Sequence, residues 1–134
     1  MPNAIGIAQS SHAIYLALRR RTDLYQRMRI FLEEYDVLVL PVVGLEPGLV
    51  EEEYPLVVDG HVTEDYVDWL KFSFLATTTA LPSLALPVGF TASGMPVGVQ
   101  LIGPPRGDAL VLQVGLAIER VLNLGIGVID PVVR

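Results

Sequence analysis

Two apolar runs separated by a short turn place the strongest constraint on the fold of this chain. The first run covers residues 81–90 (LPSLALPVGF) and the second covers residues 97–102 (VGVQLI). Between them lie residues 91–96, in which Gly94 can adopt the positive φ that a tight turn requires. Strands joined by so short a link have to pair antiparallel. In the second strand, Gly98 has no side chain and allows another segment to approach closely.

A third strand is predicted at residues 36–41 (DVLVLP). Its four consecutive apolar residues do not alternate with polar ones, which is typical of a strand buried on both faces inside an α/β sheet. Pro41 ends the strand, because proline has no N–H to donate to the ladder. The pattern therefore predicts a partial mixed sheet of about three strands that includes one antiparallel pair.

Three segments have the apolar periodicity of helices: 9–34, 63–75 and 108–123. Thr63 is a suitable N-cap for the second helix, and Asp108 for the third. Gly125 lies where a C′ glycine would end the last helix, which is apolar around most of its circumference and is expected to be mostly buried. Helices flanking a small sheet define an α/β layer arrangement.

The composition indicates that this single domain, residues 1–134, has apolar surface left over. The chain is 51% apolar and 18% charged, whereas globular chains average about 25% charged residues. A three-stranded sheet with open edges also invites additional strands. We therefore expect part of the surface to face another domain or a second copy of the chain.

Charge patterns give weak functional signals. The net charge of −6 disfavours binding to nucleic acid. Residues 19–29 contain five arginines and one aspartate, which form either a solvated helix face or an anion-binding patch. Residues 44–62 are predicted to be a mobile surface loop with a hairpin turn at Asp59-Gly60. Within it, Glu51–Glu53 is either a solvated charge run or a cation site.

The sequence contains no membrane or export signal. No stretch approaches the roughly 18 apolar residues of a membrane span, and the opening residues MPNAIGIAQS do not resemble a signal peptide. We therefore expect a cytoplasmic protein that does not contact a membrane. The chain has no cysteine, which excludes disulfides and thiol catalysis.

The residues that commonly perform catalysis are sparse. His12 and His61 are the only histidines, and neither has a spaced partner for metal binding. Lys71 is the only lysine, and Ser73 two positions on does not face it along a helix; a long-range pair of Lys71 with Ser83 stays open. We expect no catalytic residue, no metal and no cofactor.

The tandem serines Ser10-Ser11 resemble a catalytic motif only superficially. The chain has no Gly-Gly pair, so no glycine-rich loop surrounds these serines to supply oxyanion donors. Capping of the first helix is the interpretation that we favour for them.

Four blocks of the sequence resemble the C-terminal segment of the amidase signature family. They are Tyr35–Pro41, Thr79–Phe90, Gly94–Gly103 (GMPVGVQLIG) and the segment from Asp108 to Glu119. The third is the most specific, because the family pattern G-L-P-V-G-L-Q-L-x-G matches it in both spacing and residue type. Ala80 and Ala85 depart from the family pattern, in which glycine and serine are usual.

The resemblance implies an amide hydrolase whose serine attacks a carboxamide carbonyl, assisted by a second serine and a lysine. In the family these residues lie upstream of the matching blocks, and nothing here corresponds to them. The chain is therefore predicted to be an inactive C-terminal fragment whose partner is the missing catalytic segment. The alternative is a non-catalytic module that self-associates, most simply as a homodimer.

The resemblance also implies that part of the acyl pocket lies in this chain, at Trp69, Phe72, Thr77 and Thr79. Aromatic side chains there would suit an apolar acyl group. Trp69 and Phe72 are equally compatible with an ordinary core. The threonines could instead satisfy backbone groups at a helix end. The sequence does not indicate the substrate.

Overall fold

A long helix, α1 (Ser11–Glu34), begins the part of the chain that the computed structural model describes, residues 9–124. Its start is fixed by Ser10, whose Oγ accepts a hydrogen bond of 3.1 Å from the backbone N–H of Ala13. This confirms the capping role predicted for the tandem serines. Met28 and Leu32 are the buried residues of α1 and anchor it to the sheet.

Five strands follow in chain order: β1 (Leu38–Pro41), β2 (Val57–Val58), β3 (His61–Val62), β4 (Ser83–Phe90) and β5 (Pro96–Ile102). β4 and β5 form the predicted antiparallel hairpin, in which Gly94 has a φ of 84°. β2 and β3 form a second, two-stranded hairpin. Its turn residues Asp59 and Gly60 both have positive φ, which confirms the turn predicted at this dipeptide.

The main sheet has the order β1-β5-β4, and both of its pairings are antiparallel. The prediction of an α/β arrangement with about three strands and three helices is confirmed. The prediction of a mixed sheet was wrong for the described residues, because β1 and β4 flank β5 and both are antiparallel to it. At Gly98, an added Cβ would lie 3.2 Å from the carbonyl oxygen of Leu86, so the predicted close approach is also confirmed.

Helices cover the two faces of the sheet. On one face, α1 and the short helix α2 (Phe74–Thr79) enclose a core that includes Ile102 and Leu81. On the other face, α3 (Asp108–Leu122) packs over β4 and β5 and encloses Leu101 with Val111.

Two predictions about burial were wrong for this chain. β1 was expected to be buried on both faces, yet Val39 is 49% exposed because α3 packs over β4 and β5 and leaves this edge open. α3 was expected to be mostly buried, yet Leu112 and Leu116 are 60% and 47% exposed. Both elements have more apolar surface than residues 9–124 cover.

The helix predicted at residues 63–75 is replaced by a 3₁₀ turn (Asp68–Leu70) followed by α2. Thr63 is not an N-cap, because its hydroxyl donates to the carbonyl of Pro55. Asp65 instead accepts hydrogen bonds from the backbone N–H groups of Val67 and Asp68. Aspartate side chains that bind nearby backbone groups compete with helix formation, which explains the interruption.

The ends of α3 also differ from the prediction. Gly107 occupies the N-cap position without a side-chain hydrogen bond, and Asp108 is the first helical residue rather than the cap. Asn123 ends the helix in the left-handed conformation. The predicted C′ residue, Gly125, lies outside the described residues. No helix within residues 9–124 is both long and apolar enough to cross a membrane.

Ala80 ends α2 in the left-handed conformation, with φ 53° and ψ 37°. A side chain is strained there and glycine is not, so we expect Ala80→Gly to stabilise the fold by about 1 kcal/mol. The same change in a right-handed helix, Ala117→Gly in α3, should destabilise it by a similar amount. Urea denaturation measures both variants; a loss of stability in Ala80→Gly would contradict the argument.

Candidate functional site

The candidate site forms where β1 leaves the sheet and the 3₁₀ turn leads into α2. Gln100, on the central strand β5, is only 5% exposed. Its Nε2 donates to the carbonyl of Pro41 at 3.2 Å and to the carbonyl of Phe72 at 2.8 Å. Ser73 adds a hydrogen bond of 2.6 Å from its hydroxyl to the carbonyl of Val42. The end of β1 and the segment before α2 are therefore fastened to the sheet and to each other.

A cavity of about 340 Å³ lies beside this junction. Trp69 and Phe72 form its aromatic wall, and the loop at Gly44 and Leu45 and the β2–β3 hairpin with His61 also line it. A Cβ at Gly44 would lie 2.9 Å from the Phe72 ring, so a larger residue there would displace this half-exposed ring.

Trp69 also lines a second cavity of about 250 Å³, together with Tyr54 and glutamates of the loop. Tyr66 packs edge-on against Trp69 at 5.9 Å between ring centroids, and against Tyr54 at 6.3 Å. The indole N–H of Trp69 is buried and finds no hydrogen-bond partner within residues 9–124. Trp69 and Leu45 thus line both cavities.

The ionisable side chains around the larger cavity are Asp59, His61, Asp68 and Lys71. The pKa of Asp68 lies below its ordinary value, mainly because the backbone N–H of Glu64 donates to its carboxylate. Partial desolvation raises this pKa, and the ammonium of Lys71 lowers it by a smaller amount. The Lys71 Nζ lies 3.6 Å from Asp68 Oδ1, and its side chain is 77% exposed. Lys71 therefore pairs with a carboxylate, and no serine partner for it is found among the described residues.

The four residues predicted from the resemblance do not share one cavity. Trp69 and Phe72 lie together, as described. Thr79 is buried, and its hydroxyl bonds to the carbonyls of Leu75 and Ala76 inside its own helix, while Thr77 is exposed. Thr79 lines a third cavity of about 300 Å³ between α1 and α2. The assignment of all four to an acyl pocket stays a prediction.

Sequence reasoning missed three residues that shape these cavities. Gln100 was not singled out in the sequence, although a single amide in an otherwise apolar strand signals a buried polar contact. Gly44 was treated only as loop punctuation. Arg21, taken as part of an exposed arginine cluster, donates from Nε to the carbonyl of Thr78 at 2.8 Å and so caps α2. No local pattern indicates contacts over such sequence distances.

Comparisons with known proteins identify the class of protein to which this chain belongs. A family model described as Amidase matches residues 3–112. The acylamidase of Rhodococcus erythropolis is 34% identical over 102 residues, 75% of this chain and 21% of that protein. The fatty acid amide hydrolase of Oryza sativa subsp. japonica is 33% identical over 101 residues, 75% of this chain and 16% of that protein.

Solved structures agree on the fold. The crystal structure of a bacterial aryl acylamidase of the amidase signature family superposes with a TM-score of 0.77 at 21% identity, over 96% of this chain and 29% of that chain. This chain belongs to the amidase signature family. It spans only 21% and 16% of the length of the two relatives named above.

The hydrogen bonds of Gln100 should contribute measurably to stability. In Gln100→Leu the carbonyls of Pro41 and Phe72 lose their donor, and unsatisfied buried polar groups destabilise by about 1–3 kcal/mol. The matched change Gln113→Leu, at an exposed position of α3, should stay within about 0.5 kcal/mol. Thermal unfolding followed by circular dichroism compares the stabilities of the two variants. Equal losses of stability would show that the hydrogen bonds of Gln100 do not stabilise the fold.

Proposed function

We propose that this chain forms part of the acyl-pocket wall of an amidase-signature amide hydrolase and performs no hydrolysis by itself. The observation that carries the proposal is the cavity of about 340 Å³ with Trp69 and Phe72 on one side. Gln100 fastens that wall to the central strand. A cavity held by buried hydrogen bonds keeps its shape without a ligand, as expected of a binding pocket.

The chemistry of this wall suits an apolar acyl group. The volume of the cavity, about 340 Å³, falls at the lower end of the roughly 300–1,000 Å³ that small-molecule pockets occupy. Its exposed ring, Phe72, is 47% accessible and offers an apolar surface to a ligand. The names of the relatives, an acylamidase and a fatty acid amide hydrolase, support the same substrate class.

The absence of activity follows from what a serine hydrolase needs. A nucleophilic serine requires a base within hydrogen-bond reach. Lys71 is paired with Asp68 instead, and Ser73 donates its hydroxyl to the backbone of Val42. The catalytic serines and lysine would come from the rest of the amidase fold, in the same polypeptide or another, and the reaction would cleave a carboxamide C–N bond. A cytoplasmic location stays a prediction of the sequence.

A chimera tests this proposal. We expect a protein in which residues of this chain replace the matching 102-residue region of the Rhodococcus erythropolis acylamidase to hydrolyse 4′-nitroacetanilide. The chain alone should release no nitroaniline, because it supplies pocket wall but no nucleophile. Absorbance of nitroaniline measures both reactions.

Two controls make the chimera decisive. An acylamidase with that region deleted should be inactive, and circular dichroism should show that the chimera is folded. A folded chimera without turnover would refute the assignment. Turnover by the isolated chain that is lost in Lys71→Ala or Ser83→Ala would show that the catalytic residues lie here after all.

In an active chimera, Phe72→Ala should raise the KM for anilides of apolar acids roughly tenfold, about 1.4 kcal/mol, and leave kcat nearly unchanged. The reason is that the lost ring contacts the acyl group equally in the ground and transition states. Phe90→Ala is the matched control, since Phe90 is 57% exposed at the end of β4 and does not line the cavity. Equal KM values would remove Phe72 from the pocket.

The alternative function is a non-catalytic module that self-associates. The exposure of Leu112 and Leu116 on α3 favours it, because exposed apolar pairs at helical spacing commonly form interfaces. Sedimentation velocity separates the two functions. A stable dimer together with an inactive chimera would favour the module, whereas a monomer would favour the hydrolase segment.

A further inference from the structure

The segment that lines the larger cavity carries an unbalanced negative charge. Residues 36–70 contain nine of the 15 acidic residues of the chain and none of its nine lysines and arginines. This segment supplies most of the lining of the cavity of about 340 Å³, including Asp59 and Asp68. The net charge of −6 is therefore concentrated in the part of the chain that forms the candidate site.

The carboxylates of this region differ in whether a cation offsets them. Lys71 lies 3.6 Å from Asp68 and offsets its charge. Asp59, at the exposed turn of the β2–β3 hairpin, forms no ion pair within residues 9–124. The neighbouring cavity, which Trp69 also lines, adds three carboxylates that have no cationic partner in the described part of the chain; they are Glu46, Glu52 and Glu53. The larger cavity therefore lies in a net negative field.

The walls of the larger cavity suit a positive charge as well as an apolar chain. Trp69 and the half-exposed Phe72 provide aromatic rings, whose faces attract an ammonium group within about 6 Å of the ring centroid. Leu45, Val58 and Val62 add apolar surface. Walls of low dielectric constant focus the field of charges that line a cleft. The same cavity can thus hold a hydrocarbon chain and attract a cation at the end of that chain.

We propose that the larger cavity selects amides whose acyl group is an apolar chain ending in an ammonium group, with Asp59 as the specificity-determining residue. This inference rests on the proposed function and specifies the substrate class of the same site. Asp59 repels an anionic acyl group, whereas a neutral one gains only the contacts with the apolar walls. A metal ion is a less suitable occupant, because no three His, Asp or Glu side chains within residues 9–124 are grouped to ligate it.

A binding experiment on the chain itself tests this selectivity. Trp69 is the only tryptophan, so its indole N–H gives one resonance that reports on the cavity in ¹H–¹⁵N NMR spectra. The probes are 5-aminopentanamide, hexanamide and the monoamide of glutaric acid, which have similar lengths and end in a cationic, a neutral and an anionic group. We expect the cationic probe to bind roughly threefold more tightly than hexanamide, and the anionic probe more weakly, as one nearby charge in water allows.

Ionic strength and two variants identify the origin of the preference. Raising the salt concentration from about 0.01 M to about 1 M shortens the Debye length from about 30 Å to about 3 Å and should abolish the preference. Asp59→Asn removes the charge and keeps the turn, because asparagine tolerates the positive φ of 49° at this position. This variant should reduce the ratio of cationic to neutral affinity about twofold or more. Asp23→Asn, at an exposed position of α1 outside both cavities, should leave the ratio unchanged.

Three results would overturn the proposal. Equal affinities for the three probes at low ionic strength would show that the cavity does not select by charge. Equal effects of the two asparagine variants would assign the preference to the overall charge of the chain. An indole resonance that none of the probes shifts would show that the cavity does not bind such acyl groups.

The acylamidase chimera separates this inference from the proposed function. Its substrates are the 4-nitroanilides of 5-aminopentanoic, hexanoic and glutaric acids, and the cationic one should have the lowest KM. An active chimera with equal KM values for all three would refute the charge selectivity and leave the assignment of the pocket wall intact. A folded but inactive chimera, together with charge-selective binding by the chain, would refute the hydrolase assignment and retain a cavity selective for cations.

Discussion

The two hydrogen bonds from the side chain of Gln100 fix the arrangement on which the candidate site depends. One primary amide on the central strand reaches the carbonyl that ends β1 and the carbonyl of Phe72, which are 59 and 28 residues away in sequence. An apolar residue at this place would take the Nε2 donor away from two part-buried carbonyls. The junction is therefore specified by polar contacts, whereas the sheet around it is specified by apolar packing.

The hydrogen bonds of this junction fix the position of the cavity wall that Trp69 and Phe72 form. The Ser73 hydroxyl bonds the same segment to the Val42 carbonyl, and the absence of a side chain at Gly44 lets the Phe72 ring pack closely there. The β2–β3 hairpin also lines the cavity, and within residues 9–124 its two strands pair only with each other. One wall is thus fixed to the core, while the other is part of a surface loop, a combination suited to admitting a ligand without losing the binding geometry.

The sequence predicted those elements whose causes are local. The β4–β5 hairpin follows from two apolar runs and a glycine turn, and the start of α1 follows from a serine cap. Residues 63–75 were mispredicted because Asp65 and Asp68 bind nearby backbone N–H groups, a competition that apolar periodicity does not reveal. For the site, the resemblance indicated Trp69 and Phe72, but Gln100 and Arg21 act over distances that no local pattern encodes.

The errors in predicted burial have a different cause and are informative in themselves. The apolar pattern of β1 is typical of a strand covered on both faces, whereas the described residues cover only one of them. The same holds for α3, which has two apolar sides. One side, with Val111, packs against the sheet, and the other, with Leu112 and Leu116, is exposed. Local rules were not violated at either place, since both elements form where they were expected. The surplus of apolar surface at β1 and α3 therefore marks two places that residues 9–124 leave uncovered.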